Sequence, residues 1–224
     1  MRSFLVFPDV PKTPLPPGFD GLDVRFPPQL VETLLAEFTK PGDVVFDPFT
    51  GFGTTLIVAE RMGRVACGVE WDSARFKYVR NQLADPSFLF CGDSRNIDGF
   101  RLPALDFSLT SPPYMAQHDG ENPLTNYGVP FAPGENSYAC YLRELSSVYA
   151  QLRTRLRPGA RAVVEVSNLH PGFDPTTLAW DVARAVGQVL PFEREIVCCW
   201  EGGYGFGYDH SYCLVFRNPE QESV

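Results

Sequence analysis

The stretch 47-DPFTGFGTT-55 places an acidic residue, a rigid proline and two glycines where a predicted strand gives way to a predicted helix. Gly51 and Gly53 have no side chains, so a ligand can approach the backbone closely, and the helix start beyond them offers free N–H groups. The dinucleotide pattern G-x-G-x-x-G is excluded, because Leu56 stands where its third glycine would be. The carboxylate of Asp47 would repel a pyrophosphate and would attract an ammonium group instead.

Two further acids follow the next two predicted strands. Glu70 ends the strand predicted over 64–70, where a carboxylate can bind both hydroxyls of a ribose. Asp93 follows the strand over 87–91 and could accept from an adenine amino group. Trp71 has two equally favoured interpretations, a ring stacked on adenine or a core tryptophan. An ammonium, a ribose and an adenine together describe S-adenosylmethionine, which is the predicted cofactor.

A second motif, 110-TSPPY-114, also follows a predicted strand. Ser111 offers a hydroxyl acceptor and the backbone carbonyl beside Pro112 offers another, while Pro112 and Pro113 fix the backbone rigidly. Tyr114 supplies a ring face on which a base can stack. This set suits a reaction at an exocyclic amino group, whose nitrogen is a poor nucleophile and has to be held by its hydrogens and aimed. Positioning would be the main catalytic contribution.

Both motifs resemble those of the class I methyltransferases that modify exocyclic amino groups of DNA, at cytosine N4 or adenine N6. The family pattern is close to D-P-F-x-G-S-G-T-T, with Phe52 replacing the serine, and its second motif is [DNS]-P-P-[YFW]. The Ser form is most typical of the cytosine-N4 enzymes. The predicted helix over 27–38 is similar to the family segment that leans on the methionine end of the cofactor. The resemblance implies further cofactor contacts from Pro27, Pro48, Phe49, Thr54 and Thr55.

The elements that must position these motifs alternate between strands and helices along most of the chain. Seven strands are predicted, and the last two, 192–200 and 211–216, are joined closely enough to form a hairpin. The fold class is therefore α/β: a Rossmann-like, mostly parallel seven-stranded sheet with a C-terminal antiparallel hairpin and helices on both faces. We expect a proline-rich arm over 1–24, a catalytic domain over 25–217 and a short acidic tail over 218–224.

Composition excludes several other classes of protein. The chain has 224 residues, 44% hydrophobic and 21% charged, which suits one globular domain. Neither a long apolar run nor a signal-peptide pattern is present, so a cytoplasmic protein without a membrane partner is expected. The six cysteines show no zinc-ligand spacing and are interpreted as reduced, mostly buried thiols. The three histidines form no ligand pattern, and no metal is predicted.

Target recognition is the weakest point of the sequence pattern. The net charge of −8 argues mildly against tight, autonomous binding of DNA, and no separate recognition region is evident, so a second copy or a partner subunit could supply it. Substrate contacts are expected from two loops and one strand end beside the site, at Asn122, Tyr127, Asn168 and Tyr204. Methylation of RNA bases, methylation of a small molecule, and a non-enzymatic cofactor-binding subunit stay open as alternatives.

Overall fold

The computed structural model describes residues 2–9, 14–15, 18–19, 25–117, 119, 121–124, 137–170 and 174–220. Eight strands form a single sheet: β1 Phe4–Phe7, β2 Val44–Asp47, β3 Val65–Glu70, β4 Leu89–Cys91, β5 Leu105–Thr110, β6 Leu156–Val166, β7 Phe192–Trp200 and β8 His210–Arg217. The helices are α1 Pro28–Phe38, α2 Thr54–Arg61, α3 Ser73–Gln82, α4 Ser137–Arg155 and α5 Leu178–Gly187, with a 3-10 helix at Ser94–Gly99.

The strands lie in the order β1-β7-β8-β6-β5-β2-β3-β4. All neighbouring pairs are parallel except those of β8, which runs antiparallel to both β6 and β7. The predicted fold class, with its C-terminal hairpin, is confirmed. An eighth strand adds to the seven expected, because Phe4–Phe7 of the predicted arm pairs with the outer edge of β7. The ring of Phe7 stacks on Trp200 with the centroids 4.7 Å apart, which fixes this strand against the sheet edge.

Helices cover both faces of the sheet. On one face α4 and α5 bury a cluster that includes Tyr141 and Val182, and on the other α1 and α2 bury a cluster that includes Leu34. Side chains of β6 alternate between these clusters, with Val164 in the first and Val163 in the second. A sheet buried on both faces accounts for the near-continuous apolar runs of its central strands.

The order of strands reverses beside β2, since β3 and β4 follow on one side while β5 and β6 lie on the other. Ligands of open parallel sheets bind at such a reversal, outside the carboxyl ends of the strands. Both motifs begin there: Asp47 is the last residue of β2, and Ser111 directly follows β5. The fold thus brings the two motifs to one crevice.

Most of the cysteines are buried, as the sequence predicts. All six cysteines are free; Cys67, Cys140, Cys198 and Cys213 are buried, Cys199 is half-buried and Cys91 is exposed. Cys91 differs from the expected burial because it ends an outer strand. No helix in the described part of the chain is long and apolar enough to cross a membrane.

Candidate active site

The ends of β2 and β5 are joined by a side-chain hydrogen bond. The hydroxyl of Thr110 donates to Oδ1 of Asp47 at 2.6 Å, although the two residues are 63 positions apart in the chain. The strands themselves pair in parallel, with Val45 opposite Phe107. The acidic glycine loop and the Ser-Pro-Pro-Tyr loop therefore leave the sheet side by side.

The glycine loop is shaped by two left-handed residues. Gly51 has φ 57° and Gly53, which precedes α2, has φ 80°, a region that side chains rarely adopt. A Cβ on Gly53 would lie 2.7 Å from Cγ1 of Val79, whereas a Cβ on Gly51 would meet only the Phe49 carbonyl oxygen, at 3.9 Å. Gly53 is thus required by packing and conformation together, while Gly51 leaves open space for a close approach to the backbone.

Asp47 is buried beside this loop, with 3% of its surface exposed. Its Oδ1 accepts from the backbone N–H of Phe49 at 3.0 Å as well as from Thr110. Burial raises the pKa of Asp47 to about 6, and these hydrogen bonds lower it only in part. A carboxylate held in this way is better stabilised by an incoming cation than by solvent.

Glu70 ends the neighbouring strand and binds the glycine loop directly. Its Oε2 accepts from the N–H of Gly51 at 2.6 Å, and its Oε1 accepts from the N–H of Asp72 at 2.8 Å. Burial raises the pKa of Glu70 to about 7, and the nearby charge of Asp47 adds to the rise. The two carboxylates predicted to hold an ammonium and a ribose thus lie close enough to interact. Their binding roles remain predictions.

Asp93 lies after β4, as predicted, and is engaged by the protein itself. It caps the 3-10 helix by accepting from the N–H of Arg95, and its carboxylate forms an ion pair with the Arg95 guanidinium at 2.7 Å. Arg95 also reaches Glu144 at 3.2 Å. The neighbouring Ser94 donates its hydroxyl to the Pro48 carbonyl, which ties the end of β4 to the glycine loop.

The other expected cofactor residues lie in the glycine loop or at the ends of the helices and strands. Pro27 precedes α1 and its carbonyl accepts from Leu30 at 3.1 Å. Thr54 begins α2, and the fully buried Thr55 donates to the Leu109 carbonyl at 3.4 Å. Phe49 packs on the core cluster beneath α4, while Trp71 is 39% exposed beside Glu70, so it is not a core residue.

The Ser-Pro-Pro-Tyr loop is anchored at its last two residues. The hydroxyl of Tyr141 on α4 donates to the Pro113 carbonyl at 2.9 Å. The hydroxyl of Tyr114 lies 3.2 Å from Oε2 of Glu165 and 2.8 Å from the hydroxyl of Tyr204. Pro112 is buried and Ser111 half-buried. The loop is thus held by contacts with α4 and β6, and the Tyr114 hydroxyl lies against the buried carboxylate of Glu165.

Glu165 is the residue of this site that the sequence interpretation missed. It lies on β6 with no exposed surface, and Oε2 also accepts from Tyr204 at 2.8 Å. A single acidic residue inside the apolar run 162-AVVEVS-167 was the signal that could have identified it. Tyr141 lies among the buried residues of α4, and the sequence does not indicate that its hydroxyl reaches the Pro113 carbonyl.

The four residues expected to contact substrate have different outcomes. Tyr204 joins the site through Tyr114 and Glu165. Asn122 is fully buried, where it donates to Glu144 at 2.9 Å and accepts from the Leu124 N–H at 2.9 Å, so the structure gives it a loop-anchoring role. Asn168 is also buried and accepts from the Ala179 N–H at the start of α5. Tyr127 lies outside the described residues.

An aromatic ring from the loop between β7 and β8 packs against Tyr114. The ring centroids of Phe206 and Tyr114 are 5.3 Å apart, and Phe206 is 40% exposed. Phe206 has φ 55°, a left-handed conformation that is strained for a residue with a side chain. Phe206 lies between β7 and β8, and its contact with Tyr114 places that loop against the second motif.

Comparisons with known proteins agree with this arrangement. Residues 13–81, which include the glycine loop and Glu70, match the family model of N6/N4 methyltransferases described as DNA methylase. The Type II methyltransferase M2.DpnII of Streptococcus pneumoniae is 40% identical over 57 residues, which are 25% of this chain and 21% of that protein. M2.LlaDCHI of Lactococcus lactis subsp. cremoris is 35% identical over the same shares of each chain. The crystal structure of TrmN from Thermus thermophilus superposes with a TM-score of 0.58 at 19% identity, over 85% of this chain and 48% of that one.

The superposition shows that this chain shares its fold with TrmN over most of its length. The match of segment 13–81 to the DNA methylase family model supports the resemblance read from the first motif. The matched segment covers about a fifth of each curated relative, and the Ser-Pro-Pro-Tyr loop lies outside the family match.

Proposed function

We propose that this chain is an S-adenosylmethionine-dependent methyltransferase that modifies the exocyclic amino group of a nucleobase in DNA, at cytosine N4 or adenine N6. The observation that carries the proposal is the 2.6 Å hydrogen bond from Thr110 to Asp47, which joins the bases of the two loops. The family match over 13–81 favours DNA as the substrate class.

The residues at the crevice fit the proposed cofactor. Two buried carboxylates, Asp47 and Glu70, suit an ammonium group and ribose hydroxyls, and both have a raised pKa that an approaching cation or donor would relieve. Gly51 has no side chain, and a Cβ added there would meet no atom closer than 3.9 Å, which leaves the backbone accessible between them. When bound, the cofactor supplies an electrophilic methyl group.

The second loop provides the groups that would hold an amino nitrogen. Ser111 is half-buried at the carboxyl end of β5, and its hydroxyl can accept one amino hydrogen. The rigid Pro112 backbone offers a carbonyl for the other. The rings of Tyr114 and Phe206 border the same space and suit the planar face of a base. Catalysis on this proposal depends on orienting the nitrogen rather than on an initial deprotonation.

Recognition of the target is proposed to need a second copy or a partner subunit. The net charge of −8 disfavours the neutralisation of DNA phosphates by the chain alone. Binding by the isolated chain should accordingly be weak and only shallowly dependent on salt, because few phosphates are neutralised.

The test is an assay with purified chain, cofactor labelled in its methyl group, and separate DNA and RNA substrates. Mass spectrometry of the digested nucleosides should find the label in N4-methylcytosine or N6-methyladenine from DNA. Ser111→Ala should sharply reduce turnover while calorimetry finds cofactor binding retained. Ser147→Ala, at an exposed serine of α4, is the matched control and should behave as wild type.

Other results would replace the proposal with one of the alternatives. Label found only in RNA nucleosides would change the substrate, and label found only in small amines would remove nucleic acid from the reaction. Cofactor binding without transfer to any acceptor would indicate a non-enzymatic subunit.

A further inference from the structure

A carboxylate with no exposed surface lies beneath the proposed catalytic loop. Glu165 belongs to β6, and its hydrogen-bond partners in the described chain are hydroxyl groups rather than cations. Burying a charge without a counter-ion destabilises a fold by several kcal/mol unless hydrogen bonds compensate. A group retained at this cost, in contact with the loop, calls for a functional explanation.

Hydroxyl groups connect Glu165 to Ser111. The Tyr204 hydroxyl lies 2.8 Å from Oε2 of Glu165, and the Tyr114 hydroxyl lies 2.8 Å from that of Tyr204 and 3.2 Å from the same Oε2. The hydroxyl of Ser111 makes a longer contact of 3.4 Å with that of Tyr114. These hydrogen-bonded hydroxyls extend from Ser111, on the proposed substrate side of the loop, to Glu165 in the core of the sheet.

The Glu165 carboxylate sets the direction of each hydrogen bond in this series of hydroxyl groups. An ionised carboxylate only accepts, and each hydroxyl has a single hydrogen to donate. Tyr204 and Tyr114 therefore direct their hydrogens toward Glu165, either directly or through one another. The Tyr114 oxygen also accepts from the N–H of Ser167 at 3.2 Å, which further favours an inward hydrogen. A lone pair of Tyr114 then faces Ser111.

We propose that Glu165 is a positioning residue that turns the Ser111 hydrogen inward, so that Ser111 presents lone pairs, and no hydrogen, to an amino group. The inference rests on the proposed function, because an amino group bound by its hydrogens needs an acceptor. With a neutral group in place of the Glu165 carboxylate, the hydrogen bonds between these hydroxyl groups would have no fixed direction. Ser111 would then point its hydrogen toward the substrate part of the time and oppose binding of the N–H.

The direction of these hydrogen bonds is expected to depend on pH, because Glu165 can take up a proton. Burial raises the pKa of Glu165, and hydroxyls, including those of Ser211, Tyr204 and Ser111, lower it in part. The other titratable groups facing it are the phenols of Tyr114 and Tyr204 and the thiol of Cys213 on β8. Burial raises the pKa of both phenols, and a hydrogen bond with Cys198 together with burial raises that of Cys213. These three stay neutral as Glu165 titrates, and a protonated Glu165 becomes a donor that can reverse the chain.

The kinetic test compares Glu165→Gln with Glu195→Gln, an exposed carboxylate on β7. Glu165→Gln should lower kcat about tenfold, because charge-assisted hydrogen bonds become neutral ones, and should leave cofactor affinity unchanged. It should also remove the decline of kcat toward acid pH, which the control retains. In a Ser111→Ala background, Glu165→Gln should cause no further loss, since the acceptor that it orients is gone. An unchanged acid limb, or additive losses, would overturn the inference.

Tyr204→Phe keeps the test decisive if Glu165→Gln does not fold. Tyr204→Phe removes one of the hydroxyl groups between Glu165 and Ser111 and should also lower kcat with cofactor affinity retained. A wild-type kcat would contradict the positioning role of these hydroxyls. Neutron diffraction from a deuterated crystal gives a readout that is independent of activity. The Ser111 deuteron should lie toward Tyr114, and an outward deuteron would refute the inference. A wild-type protein without methyl transfer would refute the proposed function, while the deuteron positions would still decide this one.

Discussion

Replacing Asp47 by asparagine separates the charge of this residue from its hydrogen bonds. The Phe49 N–H at 3.0 Å and the Thr110 hydroxyl at 2.6 Å both donate to Oδ1, which an asparagine carbonyl can replace, and the Thr55 hydroxyl also interacts with the carboxylate. The two side chains have nearly the same shape, so Asp47→Asn creates little cavity or overlap. The substitution therefore removes mainly the negative charge of a residue that is only 3% exposed.

The magnitude follows from the pKa of Asp47, which burial raises from 3.8 to about 6. Because the folded state favours the protonated form, the contribution of Asp47 to stability is full below about pH 4 and is lost as the pH rises through about 6. Two pKa units correspond to roughly 3 kcal/mol. Asp47→Asn should therefore be more stable than wild type by about 2 to 3 kcal/mol near pH 8 and nearly equal to it near pH 4.

The assay is urea unfolding at a series of pH values, with the free energy of unfolding obtained by linear extrapolation. Asp98→Asn is the control, because the exposed Asp98 side chain forms a surface ion pair with Arg155, of the kind that contributes less than about 1 kcal/mol. A variant that is less stable than wild type near pH 8, or a difference that does not change with pH, would refute the reasoning. Calorimetry on Asp47→Asn should find weaker binding of the cofactor. The substitution would thus raise stability and lower function.

Cofactor affinity of the wild type should weaken as the pH falls through about 7, because burial raises the pKa of Glu70 to that value and only its carboxylate accepts freely from ribose hydroxyls. Calorimetry across this range tests it, and Glu70→Ala should bind weakly and lose the change near pH 7, keeping only the one near pH 6 from Asp47; a flat wild-type profile would contradict the assignment. Gly53→Ala should lower the free energy of unfolding by roughly 2 to 4 kcal/mol, through its positive φ and the Val79 contact. Gly51→Ala, with a positive φ but open space, should cost only about 1 kcal/mol; equal losses would show that the contact does not matter.

The local part of the site could be read from the sequence because its residues are neighbours in the chain. Asp47, Gly51 and Gly53 lie within one strand–turn–helix unit, whose conformation depends on proline, glycine and the hydrophobic period. Glu70 and Ser111 could be placed at strand ends for the same reason. The burial of Asn122 could not be read from the sequence, because a polar residue in a predicted loop looks the same whether it faces solvent or anchors that loop to Glu144.

The sequence by itself determined the elements, the loops that carry the chemistry and the kind of ligand those loops suit. Only the tertiary structure decided which distant residues complete the site. Glu165 is 51 positions from Tyr114, and Tyr204 is 90. They meet because β6 and the β7–β8 hairpin pack beside β5 in a particular strand order. Periodicity reports which face of an element is buried, but it carries no information about which buried faces meet, since that depends on how the whole sheet is assembled.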